Sequence, residues 1–441
     1  MPVLLLAALL LRMAFSVLVV GWHAPARGDE IDYVTLATNL AAGEGFTLEG
    51  GFETARRPPV YPVLLAVLMK LTGQPVAAGR IVQWLLGTLA VWLTFAATRK
   101  YFTERAAWIA AFLTAFNPFL VFISGYLLTE NLYLVLLLAF LICLPQREDL
   151  AGRFKRSAVG VVLLALMSLT RPTGFPYTLW VLAGFLTLST VSVRRRLSRL
   201  LILAPIWLIP FVPWALRNQA VFGQLILFTT HGGRTFYQGN NSVVRDTPRY
   251  HGGVAPLHQL PGRSRLLGLG EVEENAETWR LGLAFLRENK KDVPAMMGWK
   301  FIRFWRMNSD MGLSGIKSGW WWDRESRLGR LASSLDVGFV YAVIVFPFFL
   351  VGLVGSLAAL VLARRPDGDR WPFAQPPAGT WPGRLFLFHP YGIIIVHTFI
   401  ALVFFGSLRS RVPVEPIIAA FAAAGFLWFL KKCQGSLPRR S

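Results

Sequence analysis

The chain has 441 residues, of which 54% are hydrophobic and 16% charged, with a mean hydropathy of +0.49 and a formal net charge of +21. That leaves too little polar surface to coat a soluble globule of this size. It points to an all-α polytopic membrane protein whose helices cross a hydrocarbon layer ~30 Å thick. The positive charge does not indicate nucleic acid: no basic run interleaved with aromatics forms a module of its own, and most of the excess falls in short loops. Residues 152–156, 194–199, 363–370 and the tail beginning at Lys431 flank apolar blocks, which is the pattern of loops on the cytoplasmic side.

Ten apolar blocks are predicted as spans, at 3–22, 76–98, 106–123, 131–145, 157–170, 174–192, 200–215, 335–362, 385–405 and 414–430. Taking the basic loops as inside puts both termini in the cytoplasm and three sizeable units in order. Residues 1–215 form an N-terminal transmembrane module whose first outward loop is 23–75, residues 216–334 form a small outward domain, and residues 335–441 form the C-terminal helices and tail. The first block also has the alternative reading of a signal peptide, with Ala24-Pro25-Ala26 as the cleavage site, but the first eleven residues carry no charge and Arg12 interrupts the apolar run. Within the first loop, Tyr33, Leu36, Ala37 and Leu40 fall on one helical face that ends at Gly43, and 57–73 starts with prolines and is too short to span. Two helices lying on the bilayer surface are expected there, separated by Gly50 and Gly51. In the outward domain the clear helical stretch is 271–292. Cys143 and Cys433 are too few for a disulfide framework and read as packing residues.

The candidate chemistry lies in outward loops. Asp29, Glu30 and Asp32 follow the first span within a few residues. Helix capping and the helix dipole account for one of them; the others are better explained by a site that needs carboxylates. Glu53 closes the interval between the two surface helices and can fold back towards Asp29, with pairing to Arg56 or Arg57 as the plain alternative. Glu130 stands at an outward tip between two spans, where an acid is costly unless it has a task, although Thr129 is placed to cap a helix there. Arg171, Arg217, Arg409 and Arg411 each end a span on the same outward side, and arginine grips phosphate oxygens in pairs. Any one of them alone reads as an interfacial side chain reaching for water. His231 has no partner at i+3 or i+4, so a metal role for it is weakly supported. Walker, GxSxG and HExxH motifs are missing, which excludes a soluble NTP-driven or metalloprotease engine.

In this order, "DEIDYVTLATNLAAGEGF", "RRPPVYPVLLAV", "LLTENLY", "SLTRPTG", "PWALRNQAVFGQLILFTTHGGRTFYQGNN" and "SRVPVEPIIAA" resemble the GT-C membrane glycosyltransferases, closest to the bacterial branch related to protein O-mannosyltransferases and aminoarabinose lipid A transferases. The likeness covers nearly the whole chain. It implies a GT-C-like fold and transfer of a sugar, with inversion, from a polyprenyl-phosphate donor to a lipid, glycan or protein acceptor. The expected location is the outer face of the bacterial cytoplasmic (inner) membrane, facing the periplasm. Carried over, Asp29 matches the family's catalytic acid, with Glu30 beside it, and Glu130 matches a second outward acid. Tyr33, Arg56, Arg57, Tyr61, Arg171, Arg217, Arg409 and Arg411 would face substrate and lipid phosphate. No cofactor is certain; a divalent metal is left open, with Glu53 and His231 as its candidate ligands. The chain lacks the large C-terminal soluble domain of many relatives, so acceptor recognition would fall to 216–334 or to the acceptor's own lipid. Two rival readings are a flippase for lipid-linked sugars, whose charges should lie at mid-membrane, and a polymerase or ligase acting on lipid-pyrophosphate oligosaccharides.

Overall fold

The computed structural model describes residues 1–22, 24–144, 150–188, 192–307, 337–361 and 388–435. The basic stretch 363–370, the proline-rich stretch 370–383 and the part of the outward segment from 308 to 334 lie outside them. Among the described residues the fold is helical with no strand.

Helix α1 (Pro2–Phe15) continues through a π-helical stretch to Gly21, and α2 (Asp29–Ala42) follows. α2 ends at Gly43, whose φ of +86° provides the left-handed cap. A small hairpin pairs Thr47 with Glu53 around Gly50 and Gly51, both at positive φ. α3 (Val60–Thr72) then leads into α4 (Pro75–Tyr101). The two surface helices expected in the first loop are therefore present, with the buried face Tyr33, Leu36 and Ala37 as the spacing requires. α3 exposes Val63, Val67 and Leu71 on its other side, as a helix lying in a bilayer interface does.

The next expected span, 106–123, is broken into α5 (Glu104–Ala115) and α6 (Pro118–Ile123). Asn117-Pro118 is the cause: proline cannot continue the ladder, and the Asn117 side chain accepts from the amides of Phe119 (2.9 Å) and Leu120 (3.1 Å) to start a new helix. The carbonyls freed at Thr114 and Ala115 receive hydrogen bonds from the buried guanidinium of Arg12 in α1. Arg12 interrupts the first apolar run because it closes the end of another helix.

α7 (Glu130–Cys143), α8 (Leu150–Thr170) and α9 (Gly174–Leu188) follow, and then α10 (Val193–Leu208) and α11 (Val212–Phe222), joined by one 3-10 turn. The expected span at 200–215 thus extends at both ends. Arg194, Arg195 and Arg196 sit inside its first turns and not in a loop, and the helix runs on to Gly223 (φ +67°). The outward segment carries α12 (Gly232–Gly239), α13 (Ser242–Asp246), α14 (Glu271–Glu288) and α15 (Val293–Trp305). The helical stretch expected at 271–292 is α14, ending four residues earlier. α16 (Val337–Val361), α17 (Phe388–Val403), α18 (Leu408–Arg411) and α19 (Glu415–Gly435) complete the chain.

Among the described residues five stretches are long and apolar enough to cross a membrane: Pro2–Gly21, Pro75–Tyr101, Val193–Phe222, Gly338–Ala358 and Leu408–Gln434. The expected spans at 131–145, 174–192 and 385–405 are shorter apolar helices, Glu130–Cys143, Gly174–Thr187 and His389–Val403. α7, with 14 residues, reaches only ~21 Å. It tolerates this because most of its side chains are buried among neighbouring helices, so its ends meet protein and not lipid. The protein is multi-pass. The start of α2, the start of α7, the end of α8 and α18 meet at one end of the bundle, as the ion pairs among Asp29, Glu130, Arg171 and Arg409 show.

α16 and α19 cross tightly at two glycines. A Cβ on Gly425 would lie 2.7 Å from the Gly352 amide nitrogen, and one on Gly352 would lie 3.1 Å from that of Gly425. Backbone cannot move aside as a side chain can, and overpacking of this kind costs about 1–3 kcal/mol. Gly425→Leu is expected to lower the thermal midpoint of the detergent-solubilised protein, while Gly298→Ala, at a helical position with open space around it, leaves the midpoint unchanged or raises it.

Candidate active site

Six charged side chains form a continuous chain at this end of the bundle. Arg57, just before α3, donates from Nη2 to Asp29 at 2.6 Å and from Nε to Asp32 at 2.9 Å. Arg409, in α18, bridges Asp29 and Glu130 through Nη1 and Nε. Arg171, just past α8, reaches Glu130 at 2.6 Å and also donates to the Thr129 hydroxyl at 3.1 Å. The order is Asp32–Arg57–Asp29–Arg409–Glu130–Arg171, three acids and three arginines.

Each member is set by its helix. Asp29 occupies the first turn of α2 without capping it: Gly28 is the N-cap, and the Asp29 carboxylate is directed at the two arginines. Glu130 begins α7, where the helix dipole favours its charge, and its side chain is 0% exposed. Thr129 makes no side-chain cap. Asp29 keeps 32% of its side chain open to solvent, so it is the acid of the central pair that a substrate can reach. Burial raises a carboxyl's pKa, but the charges of Arg409 and Arg57 and their hydrogen bonds outweigh it and hold Asp29 well below the usual carboxylate range.

Other expected site residues serve elsewhere. Glu30 is buried with both oxygens occupied, accepting from the amides of Leu127 (2.7 Å) and Arg27 (3.1 Å). It ties α2 to the loop before α7 and touches neither Asp29's arginines nor open space. Glu53 does not fold back to Asp29; it pairs with Arg217. Arg217 in turn donates to the carbonyls of Thr54 (2.6 Å) and Phe46 (3.0 Å) and lies among the rings of Phe46, Trp214 and Phe222. It pins the hairpin instead of facing the acids. Arg411 is buried, with Glu415 at 2.7 Å. Arg56 pairs with Glu271 and Glu274 on α14.

Tyr33 packs edge-on against Tyr61 (5.2 Å between centroids) beneath Arg57, which lies 5.3 Å from the Tyr33 ring. Tyr61 is buried and accepts from Gln83 at 2.6 Å, so it supports the site floor and does not line an opening.

Glu271 and Glu274 were not singled out by the sequence. Glu271 accepts from the Ala55 amide and the Thr54 hydroxyl, each at 2.7 Å, and from Thr230. It thereby clamps the segment that carries Arg57 to the loop that carries His231. The signal was three glutamates in the first turn of α14, which reads as ordinary dipole complementation.

Among the described residues no group of three His, Cys, Asp or Glu side chains is placed to hold a metal ion. Glu53 and His231, the expected ligands, do not fit one: the carboxylate is engaged by Arg217. His231 is held neutral by burial and by the nearby cations Arg57 and Arg234, which push its pKa down to about 3 from 6.5. Between those two values the unfolded chain binds a proton that the folded protein does not. Stability therefore falls as pH drops from 6.5 towards 3. His231→Gln removes this proton linkage, so its thermal midpoint relative to wild type should rise on going from neutral to mildly acid buffer. Parallel shifts of both proteins across that range would contradict the assignment.

Residues 56–216 match the family described as dolichyl-phosphate-mannose-protein mannosyltransferase. Among curated protein sequences none matches the chain. Solved structures similar to it include the archaeal oligosaccharyltransferase AglB from Archaeoglobus fulgidus in complex with an inhibitory peptide and a dolichol-phosphate (14% identity, TM-score 0.51, covering 99% of this chain and 52% of that one). The Archaeoglobus fulgidus oligosaccharyltransferase tethered to an acceptor peptide is similar at 16% identity and TM-score 0.53, covering 97% and 49%. ArnT from Cupriavidus metallidurans bound to undecaprenyl phosphate follows at 16% identity and TM-score 0.46, covering 97% and 75%. The chain spans about half the length of the oligosaccharyltransferases. With the family segment in its N-terminal half and this architecture over nearly its full length, the chain has the fold of the GT-C membrane glycosyltransferases.

Proposed function

We propose that the protein transfers a sugar from a polyprenyl-phosphate carrier to an acceptor hydroxyl, with inversion, at Asp29. The observation that carries this reading is the Asp29–Arg409–Glu130–Arg171 chain at the end of an apolar bundle. Arg409 also borders a small apolar pocket among the buried side chains of Phe119, Phe122, Ile123, Leu408 and Val412. An isoprenoid phosphate has the matching chemistry, an apolar tail joined to an anion that arginine grips in pairs. The family segment and the dolichol-phosphate in the AglB complex support the same class of donor.

In the reaction the acceptor oxygen attacks the anomeric carbon as the bond from that carbon to the phosphate oxygen breaks, and the lipid phosphate leaves with the electron pair. Arg409 and Arg171 stabilise the departing anion. Asp29 takes the acceptor's proton. At rest Asp29 is a poor base, because Arg57 and Arg409 hold its charge. An incoming phosphate competes for these guanidinium groups, and as they turn to it Asp29 regains basicity. Donor binding thus arms the base.

Placement in the bacterial cytoplasmic membrane, with this end outward, is supported by the distribution of cations. Arg99, Arg105, Lys155, Arg156, Arg194, Arg195, Lys431 and Lys432 lie towards the other end of the bundle, as the positive-inside trend requires of a cytoplasmic face. The acceptor is a glycan, lipid or protein hydroxyl presented to the outward segment.

The test is incubation of purified protein with a radiolabelled polyprenyl-phosphate sugar and a membrane extract. Label moving onto a new product supports transfer, and label that only changes leaflet supports transport instead. Asp29→Asn is expected to reduce transfer by about 100-fold or more with the thermal midpoint little changed; near-normal activity in that variant removes Asp29 from the mechanism.

A further inference from the structure

Two residues beyond Arg409, Arg411 points the opposite way, into the bundle. It is 2% exposed, and its Nε donates to Glu415 Oε1 at 2.7 Å. The other oxygen of Glu415, itself 3% exposed, accepts from Asn117 Nδ2 at 2.9 Å. Asn117, 1% exposed, uses its own oxygen to start α6. Arg411 Nη1 donates to the carbonyls of Phe304 (3.1 Å) and Arg306 (2.9 Å), at the end of α15. Three separate parts of the chain therefore meet on one ion pair at the start of the last span: the helix break at 117–118 on the Glu415 carboxylate, the end of α15 on the Arg411 guanidinium, and the segment that carries Arg409.

A buried ion pair at an apolar boundary is weak evidence for stability, since apolar residues of similar volume pack there as well or better. Its value lies in geometry. The pair is bidirectional, directional hydrogen bonds fix both partners, and the backbone between them is the short helix α18 with the 3-10 turn Val412–Val414. With Arg411 locked, the two-residue step to Arg409 leaves that side chain little freedom except towards Asp29 and Glu130. The preceding loop is held too, since the Gly406 amide donates to the Gly252 carbonyl at 2.8 Å and Lys300 donates to the Leu402 carbonyl at 3.2 Å. The Asn117–Glu415 hydrogen bond also ties together the two sides of the small apolar pocket beside Arg409, α6 on one side and residues 408–412 on the other.

We infer that Arg411, Glu415 and Asn117 form a buried positioning device that holds Arg409 between Asp29 and Glu130. This deepens the function proposed above and rests on it for its catalytic meaning, but its geometric content can be read without turnover. Asp29 faces Arg409 from α18, Arg57 from the loop before α3 and His231 from the loop before α12, with Glu30, Asp32 and Tyr33 on its own helix. If Arg409 swings away, Asp29 loses one of its two cationic partners and protonates at higher pH.

The experiment compares wild type, Glu415→Gln and the charge-neutral pair Arg411→Met with Glu415→Gln, each folded in detergent. Carboxyls are labelled with a water-soluble carbodiimide and an amine, which modify protonated acids, and are read by mass spectrometry. At about pH 5 Asp29 labelling should rise at least about threefold in both variants, with labelling of Asp246, exposed on the outward segment, unchanged. A rise at both sites together marks a general packing defect and overturns the inference as well. Unchanged Asp29 labelling in either folded variant overturns the inference. Absence of transfer by wild type would instead overturn the function proposed above, with the labelling result still deciding the positioning role.

Discussion

The ion pair from Arg409 to Asp29 and Glu130 joins residues 380 positions apart and closes the molecule on itself. Glu130 is wholly buried at an apolar boundary, where an unpaired carboxylate costs several kcal/mol. Its two arginines come from the end of α8 and the start of the last span, so this charge is satisfied only when α7, α8 and α18 meet. The first surface helix is drawn in by the same arginine. The ends of helices from the beginning, middle and end of the chain are thus required to converge on one point.

On the function proposed, the electrostatics of that point explain how it can be both stable and reactive. With three acids and three arginines the chain of charges is closed, and no member is left uncompensated in a low dielectric. The same closure holds Asp29 well below the usual carboxylate range. On the proposed function, a lipid phosphate is the group able to open it, because it offers arginine a better partner than a single carboxylate does. Binding energy from the carrier is then used to prepare the base, an interaction realised towards the transition state and not in the resting enzyme.

Much of the remaining arginine is internal fastening. Arg12 closes the broken end of α5, Arg80 donates to the carbonyls of Gly21 (2.8 Å) and Ala24 (2.6 Å) where the first span ends, and Arg217 holds the hairpin. A guanidinium presents five donors on one planar group, which suits it to the unpaired carbonyls that every helix end leaves behind. Within a membrane boundary water is not available for that task. Cations near helix termini are therefore as often structural as they are ligands for an anion, and side-chain type does not separate the two.

Composition and apolar periodicity were enough to establish a polytopic helical protein, because the bilayer forces long apolar helices whatever the tertiary arrangement. The surface helices at 29–42 and 60–72 were legible for a similar local reason, the spacing of their apolar face and the glycine that ends each. Asp29, Glu130, Arg171 and Arg409 could be nominated because each stood at the same end of a span. Only the tertiary structure sorted them from Glu30, Glu53, Arg217 and Arg411, which have the same chemistry and comparable positions in the chain. Whether a charged side chain meets another helix's carbonyl, a buried amide or an open acid depends on which helix ends are brought together, and that is set by packing between segments hundreds of residues apart.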